Sequence, residues 1–226
     1  MCPHPNHETL SHPYPGMTLL CTGYEPFGEH DDNPSERVAE RLDGETIAGH
    51  EVVGAVLPVE FDRVADALAS LVAAHDPDAV VATGLAGGRS TVSVERVGIN
   101  VDDAVTVPDN AEHSPRATPI VADGADAHLA TIPVVESVEA MLEADIPARV
   151  SNSAGTHCCN HALYSLLEQF EQDGRETPAG FVHLPYTPEQ AVAEAEAPER
   201  GGGVAASLPL AVQVEGVKTV FETTME

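Results

Sequence analysis

Cys159 stands in the run Ser151-Asn-Ser-Ala-Gly-Thr-His-Cys-Cys-Asn160, and His183 lies a helix length later in Gly180-Phe-Val-His-Leu-Pro-Tyr186. A thiol and an imidazole at this spacing can do nucleophilic chemistry. Ala154-Gly155-Thr156 reads as a tight turn feeding a helix, which places Cys159 in the first helical turn. A helix N-terminus favours negative charge, so a cysteine there is expected to be a better thiolate than a free one. The unpaired N–H groups of that turn can receive an oxyanion. An imidazole at a strand end can hold the thiol proton and hand it to a leaving amine. Glu95, in Ser93-Val-Glu-Arg-Val-Gly-Ile-Asn100, has apolar neighbours on an extended segment and can orient the ring by accepting its second N–H. The chemistry these three residues suggest is thiol-dependent hydrolysis.

Each residue has a plainer alternative. A free cysteine often packs as a small hydrophobe. Cys158 and Cys159 could form a vicinal disulfide, or could join His157 and His161 around a metal ion. Neighbouring helical side chains diverge by about 100°, which argues against both cysteines facing one ion. His183 could be a core histidine bonded to backbone, and Glu95 could pair with Arg96 at the surface. Gly84-Leu-Ala-Gly-Gly-Arg89 lacks GxGxxG and the P-loop Gly-Lys-Ser/Thr, and reads as a flexible loop whose N–H groups can meet a substrate carbonyl.

The elements that must position these residues alternate along the chain. Strands are expected at Met17–Thr22, Glu51–Val59, Asp78–Thr83, Arg149–Asn152 and Ala179–Leu184, with extended pieces at Thr91–Ile99 and Ala104–Val107. Helices are expected at Pro34–Leu42, capped by Asn33, at Phe61–His75 with Val64, Leu68, Leu71 and Val72 on one face, and at Pro133–Ala144. Two more are expected at Thr156–Gln172 and Leu208–Glu222, the last with Leu210, Val214, Val217 and Phe221 as its stripe. Residues 108–127 read as turns, and Pro188–Gly203 as a polar loop. Residues 1–16, rich in Pro and His, read as a flexible extension to a single domain over 17–226. Strands alternating with helices imply a three-layer α/β/α sandwich around a mostly parallel twisted sheet. Active sites of such sheets gather at the carboxyl ends of strands. Four loops are expected there: Gly23–Gly28, Gly84–Arg89, Ser153–Asn160 and His183–Pro188.

The 226 residues carry 37 acidic and 10 basic side chains, a formal charge of −27. Nucleic acid and anionic membranes are poor partners for such a surface. Lys218 is the one lysine. The balance is expected of a protein from a high-salt cytoplasm, where screening removes self-repulsion. Four cysteines without framework spacing, no basic and apolar leader in residues 1–16, and no apolar run of about 18 residues point to a cytoplasmic protein.

Several segments together resemble the pyroglutamyl peptidase I family, the pyrrolidone-carboxylate peptidases. They are Thr22-Gly-Tyr-Glu-Pro-Phe-Gly28 with Asn33-Pro-Ser35, Leu57-Pro58-Val59, Gly87-Gly-Arg89, Glu95–Asn100, Pro108-Asp-Asn110, Ser151–Asn160 and Gly180–Gln190. They follow family order and spacing over residues 17–224. The resemblance implies removal of an N-terminal pyroglutamate from peptides by a triad of Cys159, His183 and Glu95. It further implies that Tyr24 and Phe27, with Asn33 beside them, enclose the lactam ring, and that Leu85, His157 and Cys158 adjoin the substrate. A nucleoside-phosphorylase-like α/β/α subunit is implied, assembled as a homotetramer or homodimer, with no metal and no organic cofactor. The chain departs from the family at Leu85 (usually Gln), at His157 (usually Phe), by one extra residue between Glu95 and Pro108, and by lacking an Arg just before Pro108. A drifted homologue that only binds a lactam or peptide end is the alternative those departures motivate. A nucleoside phosphorylase is a third reading, without obvious phosphate chemistry.

Overall fold

The computed structural model describes residues 17–28, 30–196 and 203–226. The extension read at 1–16 lies outside them. Seven strands form one sheet: β1 (Thr18–Tyr24), β2 (Thr46–Ile47), β3 (His50–Leu57), β4 (Ala79–Leu85), β5 (Val92–Glu95), β8 (Ala148–Ser151) and β9 (Ala179–Leu184), in the order β2-β3-β1-β4-β9-β5-β8. A separate pair joins β6 (Val97–Ile99) to β7 (Ala127–Leu129). The four central strands β3, β1, β4 and β9 are parallel. The near-continuous apolar runs of β1, β4 and β9 are the pattern of strands buried on both faces.

Helices cover both sides. On one, α1 (Pro34–Leu42), α3 (Val134–Glu143) and α6 (Leu210–Thr224) close a core that includes Leu19, Val81, Met141, Val217 and Phe221. On the other, α2 (Phe61–His75) and α4 (Cys158–Asp173) pack over Leu20, Val80, Leu68, Leu163 and Phe181. The α6 stripe of Leu210, Val214, Val217 and Phe221 is buried throughout. On α2, Val64, Leu68 and Val72 are buried and Leu71 packs at the margin. The α1 boundaries follow from local chemistry: Asn33 Oδ1 accepts from the Ser35 N–H at 3.1 Å, and Pro34 fills the first helical position.

Four expectations require correction. Thr91–Ile99 is not one strand. The chain leaves the main sheet at Arg96, and Val97–Ile99 pairs with Ala127–Leu129 instead, at the end of a stretch read as turns. Ala104–Val107 is a turn, closed by the Val107 N–H to the Ala104 carbonyl. Pro188–Glu196 of the supposed polar loop is a helix, α5. Thr187 and Gln190 cap it reciprocally, Gln190 N–H to Thr187 Oγ1 and Thr187 N–H to Gln190 Oε1. Residues 197–202 of that loop lie outside the described residues. Finally, β5 and β8 run against β9. Three of the four expected loops, those after β1, β4 and β9, therefore share an edge, and Ser153–Asn160 enters from a strand of opposite sense.

Candidate active site

His183 is 4% exposed, near the end of β9, with Gly84 of β4 beside it on one side and Ser93 of β5 on the other. Its Nδ1–H donates to Glu95 Oε1 at 2.7 Å. That bond leaves Nε2 as the free nitrogen of the neutral ring. Glu95 is fully buried at the end of β5, paired with Phe181 and Ser151 across the sheet. The surface pair with Arg96 does not form; Arg96 instead donates to Asn152 Oδ1.

Cys159 occupies the first turn of α4, as the turn sequence implied. Gly155 takes φ +80°, a left-handed conformation that suits glycine, and the helix begins three residues later. The sulfur lies over β4. A methyl group added at Gly84 would sit 2.8 Å from Cys159 Sγ and 2.9 Å from the Phe181 ring. Gly84 is the register partner of His183, so the strand position under the thiol adjoins the one that bears the imidazole, and both side chains line one pocket of about 290 Å³. No side chain caps the first turn of α4, and no acid stands in it. Its N–H groups remain available to an anion.

Electrostatics correct one expectation. Burial, reinforced by the Glu95 charge, pushes the Cys159 thiol up to about 12 despite its helix terminus. Burial likewise holds the His183 imidazole below its usual range, against the opposing pull of Glu95. For Glu95, burial alone would raise the carboxyl, yet the hydrogen bond from His183, the charge of that ring when it is protonated, and hydrogen bonds from Ser151 and Arg89 leave it below the ordinary carboxylate range. The free protein thus holds a neutral thiol beside a neutral imidazole and an ionised carboxylate.

The remaining candidates divide. Phe27, Leu85 and His157 line the pocket with Ala104 and Val107. His157 packs its ring 4.9 Å from that of Phe61 and donates from Nε2 to the Val107 carbonyl, pinning the turn that forms one wall. Tyr24, Asn33 and Cys158 do not line it. Tyr24 is 2% exposed and donates its hydroxyl to the Cys158 carbonyl at 2.8 Å, so it fixes the start of α4 from beneath. Asn33 is spent on capping α1 and on donating to the Glu25 carbonyl, which steadies the loop bearing Phe27. Cys158 points into the core, where burial drives its thiol far up. Cys21, Cys158 and Cys159 are free thiols, so no vicinal bond forms. Among the described residues no three His, Cys, Asp or Glu side chains are arranged to hold a metal ion.

Two neighbours escaped the sequence reading. The Asn160 side chain bonds the backbone of Ile99 and Val101, locking α4 to β6 one residue beyond the nucleophile candidate. Arg89 approaches Glu95 to 2.6 Å. The signal for Asn160 was a polar residue on an otherwise apolar helix face; Arg89 stood in a segment that resembles the family, Gly87-Gly-Arg89, but was given no role.

An α/β sheet that gathers a thiol, an imidazole and a buried carboxylate around one pocket defines a cysteine hydrolase as a class. The profile of the family described as pyroglutamyl peptidase matches residues 17–226, and the chain belongs to that family. It is 49% identical over 176 residues to a pyrrolidone-carboxylate peptidase of Chromobacterium violaceum, covering 77% of this chain and 80% of that one. It is 42% identical over 208 residues to one from Coprothermobacter proteolyticus, covering 92% and 97%. Among solved structures, pyrrolidone carboxyl peptidase from the hyperthermophile Pyrococcus furiosus superposes with a TM-score of 0.87 at 36% identity, covering 92% of this chain and 98% of that one.

Proposed function

We propose that the chain is a cysteine peptidase that removes an N-terminal pyroglutamate from peptides, with Cys159 as nucleophile, His183 as base and acid, and Glu95 as its orienting partner. The observation that carries the roles is the 2.7 Å bond from His183 to buried Glu95, with Cys159 and His183 lining the same pocket. His183 Nε2 takes the thiol proton as sulfur attacks the carbonyl that follows the lactam ring. The oxyanion meets N–H groups of the first turn of α4. The collapsing intermediate breaks the C–N bond, and the imidazolium protonates the departing amine. Water, activated by the neutral imidazole, then frees pyroglutamate from the thioester.

The pocket suits this substrate. Pyroglutamate has no free amine, so a carboxylate aimed at a charged N-terminus would be wasted. A small apolar wall of Phe27, Leu85, Ala104 and Val107 with a few polar contacts matches a lactam better. We infer further that the chain works in the cytoplasm and assembles as a homodimer or homotetramer. Exposed Val135 and Leu142 on α3 offer apolar surface for such contacts, and sedimentation velocity would measure the assembly. No helix among the described residues is long and apolar enough to cross a membrane.

The test is release of a fluorophore from a pyroglutamyl amide at molar KCl. Activity in wild type and in Cys158→Ala, abolished in Cys159→Ala, is the expected result. A folded wild type without activity would refute the reading.

A further inference from the structure

We propose that Arg89 is a positioning residue that ties the carboxylate–imidazole half of the site to the loop carrying the thiol. The inference rests on the roles given above to Cys159, His183 and Glu95. Arg89 ends the loop after β4, where its N–H bonds the Ala86 carbonyl. Its guanidinium reaches two acceptors. Nη1 lies 2.6 Å from Glu95 Oε1, and Nη2 donates to the Ser153 carbonyl at 3.1 Å. Ser153 precedes the Gly155 turn that delivers Cys159, so one planar fork sets the spacing between the buried carboxylate and the nucleophile's loop.

The carboxylate needs this partner. Glu95 Oε2 is buried without a hydrogen bond among the described residues, so His183 and Arg89 both converge on Oε1. Without Arg89 a fully buried charge would keep only neutral donors, the His183 N–H and the Ser151 hydroxyl beside it, a costly arrangement. Arg89 also divides the charge of Glu95. An arginine beside the carboxylate keeps it ionised and at the same time weakens its hold on an imidazolium. His183 is thereby left neutral, ready to accept the thiol proton and able to give it up. The other charged or titratable groups facing this trio are Cys159 of α4, Arg149 of β8, whose Nε donates to Ser93 Oγ, and Asp103 and His157 on the pocket wall. None of them bonds Glu95. Lysine, whose three N–H donors diverge from one nitrogen, cannot reproduce the planar fork by which Nη1 and Nη2 reach Glu95 and Ser153 separately.

The experiment compares wild type with Arg89→Met and Arg89→Lys. Two readouts are taken across pH: turnover of the pyroglutamyl amide, and alkylation of Cys159 by iodoacetamide followed by mass spectrometry. Arg89→Met is expected to lose kcat on the order of a hundredfold with KM within about threefold. The acid limb of its kcat/KM profile should move to higher pH, and its Cys159 should alkylate more slowly. Arg89→Lys should keep the wild-type acid limb yet retain a reduced kcat. A folded Arg89→Met with wild-type kcat overturns the proposal, as does a fall in kcat with unmoved acid limb and alkylation profile. If Arg89→Met does not fold, Arg89→Lys decides: wild-type kcat overturns the proposal, and a reduced kcat on an unmoved acid limb supports it. A wild type that alkylates at Cys159 but cleaves nothing would refute the function alone, and the alkylation comparison would still decide the role of Arg89.

Discussion

At the scale of single residues, protons decide the behaviour of this site. With its thiol pushed up to about 12, Cys159 in the free protein reacts through a small thiolate fraction. Its alkylation rate should climb about tenfold per pH unit from neutrality to about pH 10 without levelling; a plateau near pH 7 would show a preformed ion pair instead. His183 is held below the usual histidine value of about 6.5. The unfolded chain therefore binds this proton first as pH falls, and stability drops below about pH 6.5. Glu95, held below the carboxylate range, acts in the same direction, its contribution being lost as pH falls through its folded value. Melting temperature should decline on acidification through about pH 5, and His183→Gln should remove the earlier part of the decline; a wild-type curve flat to pH 5 would contradict this. Cys159, His183 and Glu95 could be named as candidates because each interrupts an apolar or turn pattern with a reactive group, but it was the family resemblance that joined them as a set. The duty of Tyr24 was not legible, since a hydroxyl aimed at a backbone carbonyl across 134 residues leaves no local mark, whereas the cap made by Asn33 was read from Asn33-Pro34.

At the scale of elements, close backbone approach matters most at Gly84, where β4 passes directly under the thiol. Gly84→Ala should keep the fold, because its φ is ordinary, yet push Cys159 and Phe181 aside; we expect kcat to fall at least about tenfold with circular dichroism unchanged. Wild-type turnover in that variant would mean the sulfur has room to move. Helices with strong periodicity, α1, α2 and α6, were legible nearly to the residue. Helix α5 was readable in principle from Thr187-Pro-Glu-Gln190, a capping box with proline at the first helical position. Its acidic, alanine-rich body disguised it as loop. The reversed sense of β5 and β8 was not readable, because direction in a sheet is set by pairing partners distant in sequence.

At the scale of the whole molecule, a formal charge of −27 on 226 residues sets the working conditions. Melting temperature should rise by about 10 °C or more on going to about 2 M KCl, mostly below 1 M, where the screening length shrinks from about 10 to about 3 Å. An equal gain from sucrose alone would assign the effect to solvent exclusion rather than charge. The family match begins at residue 17, and deletion of 1–16 is expected to leave turnover within about twofold; loss of activity in a folded truncation would give that segment a role. The sheet order has a consequence for biosynthesis. Strand β9 is threaded between β4 and β5, although both are translated more than 80 residues before it. Until residues 179–184 are made, β4 and β5 lack their common partner and Glu95 faces no imidazole. The pairing of β9 both closes the sheet and joins His183 to Glu95. Synthesis itself thus acts as the safeguard, and the peptidase cannot arm until its host fold is nearly complete.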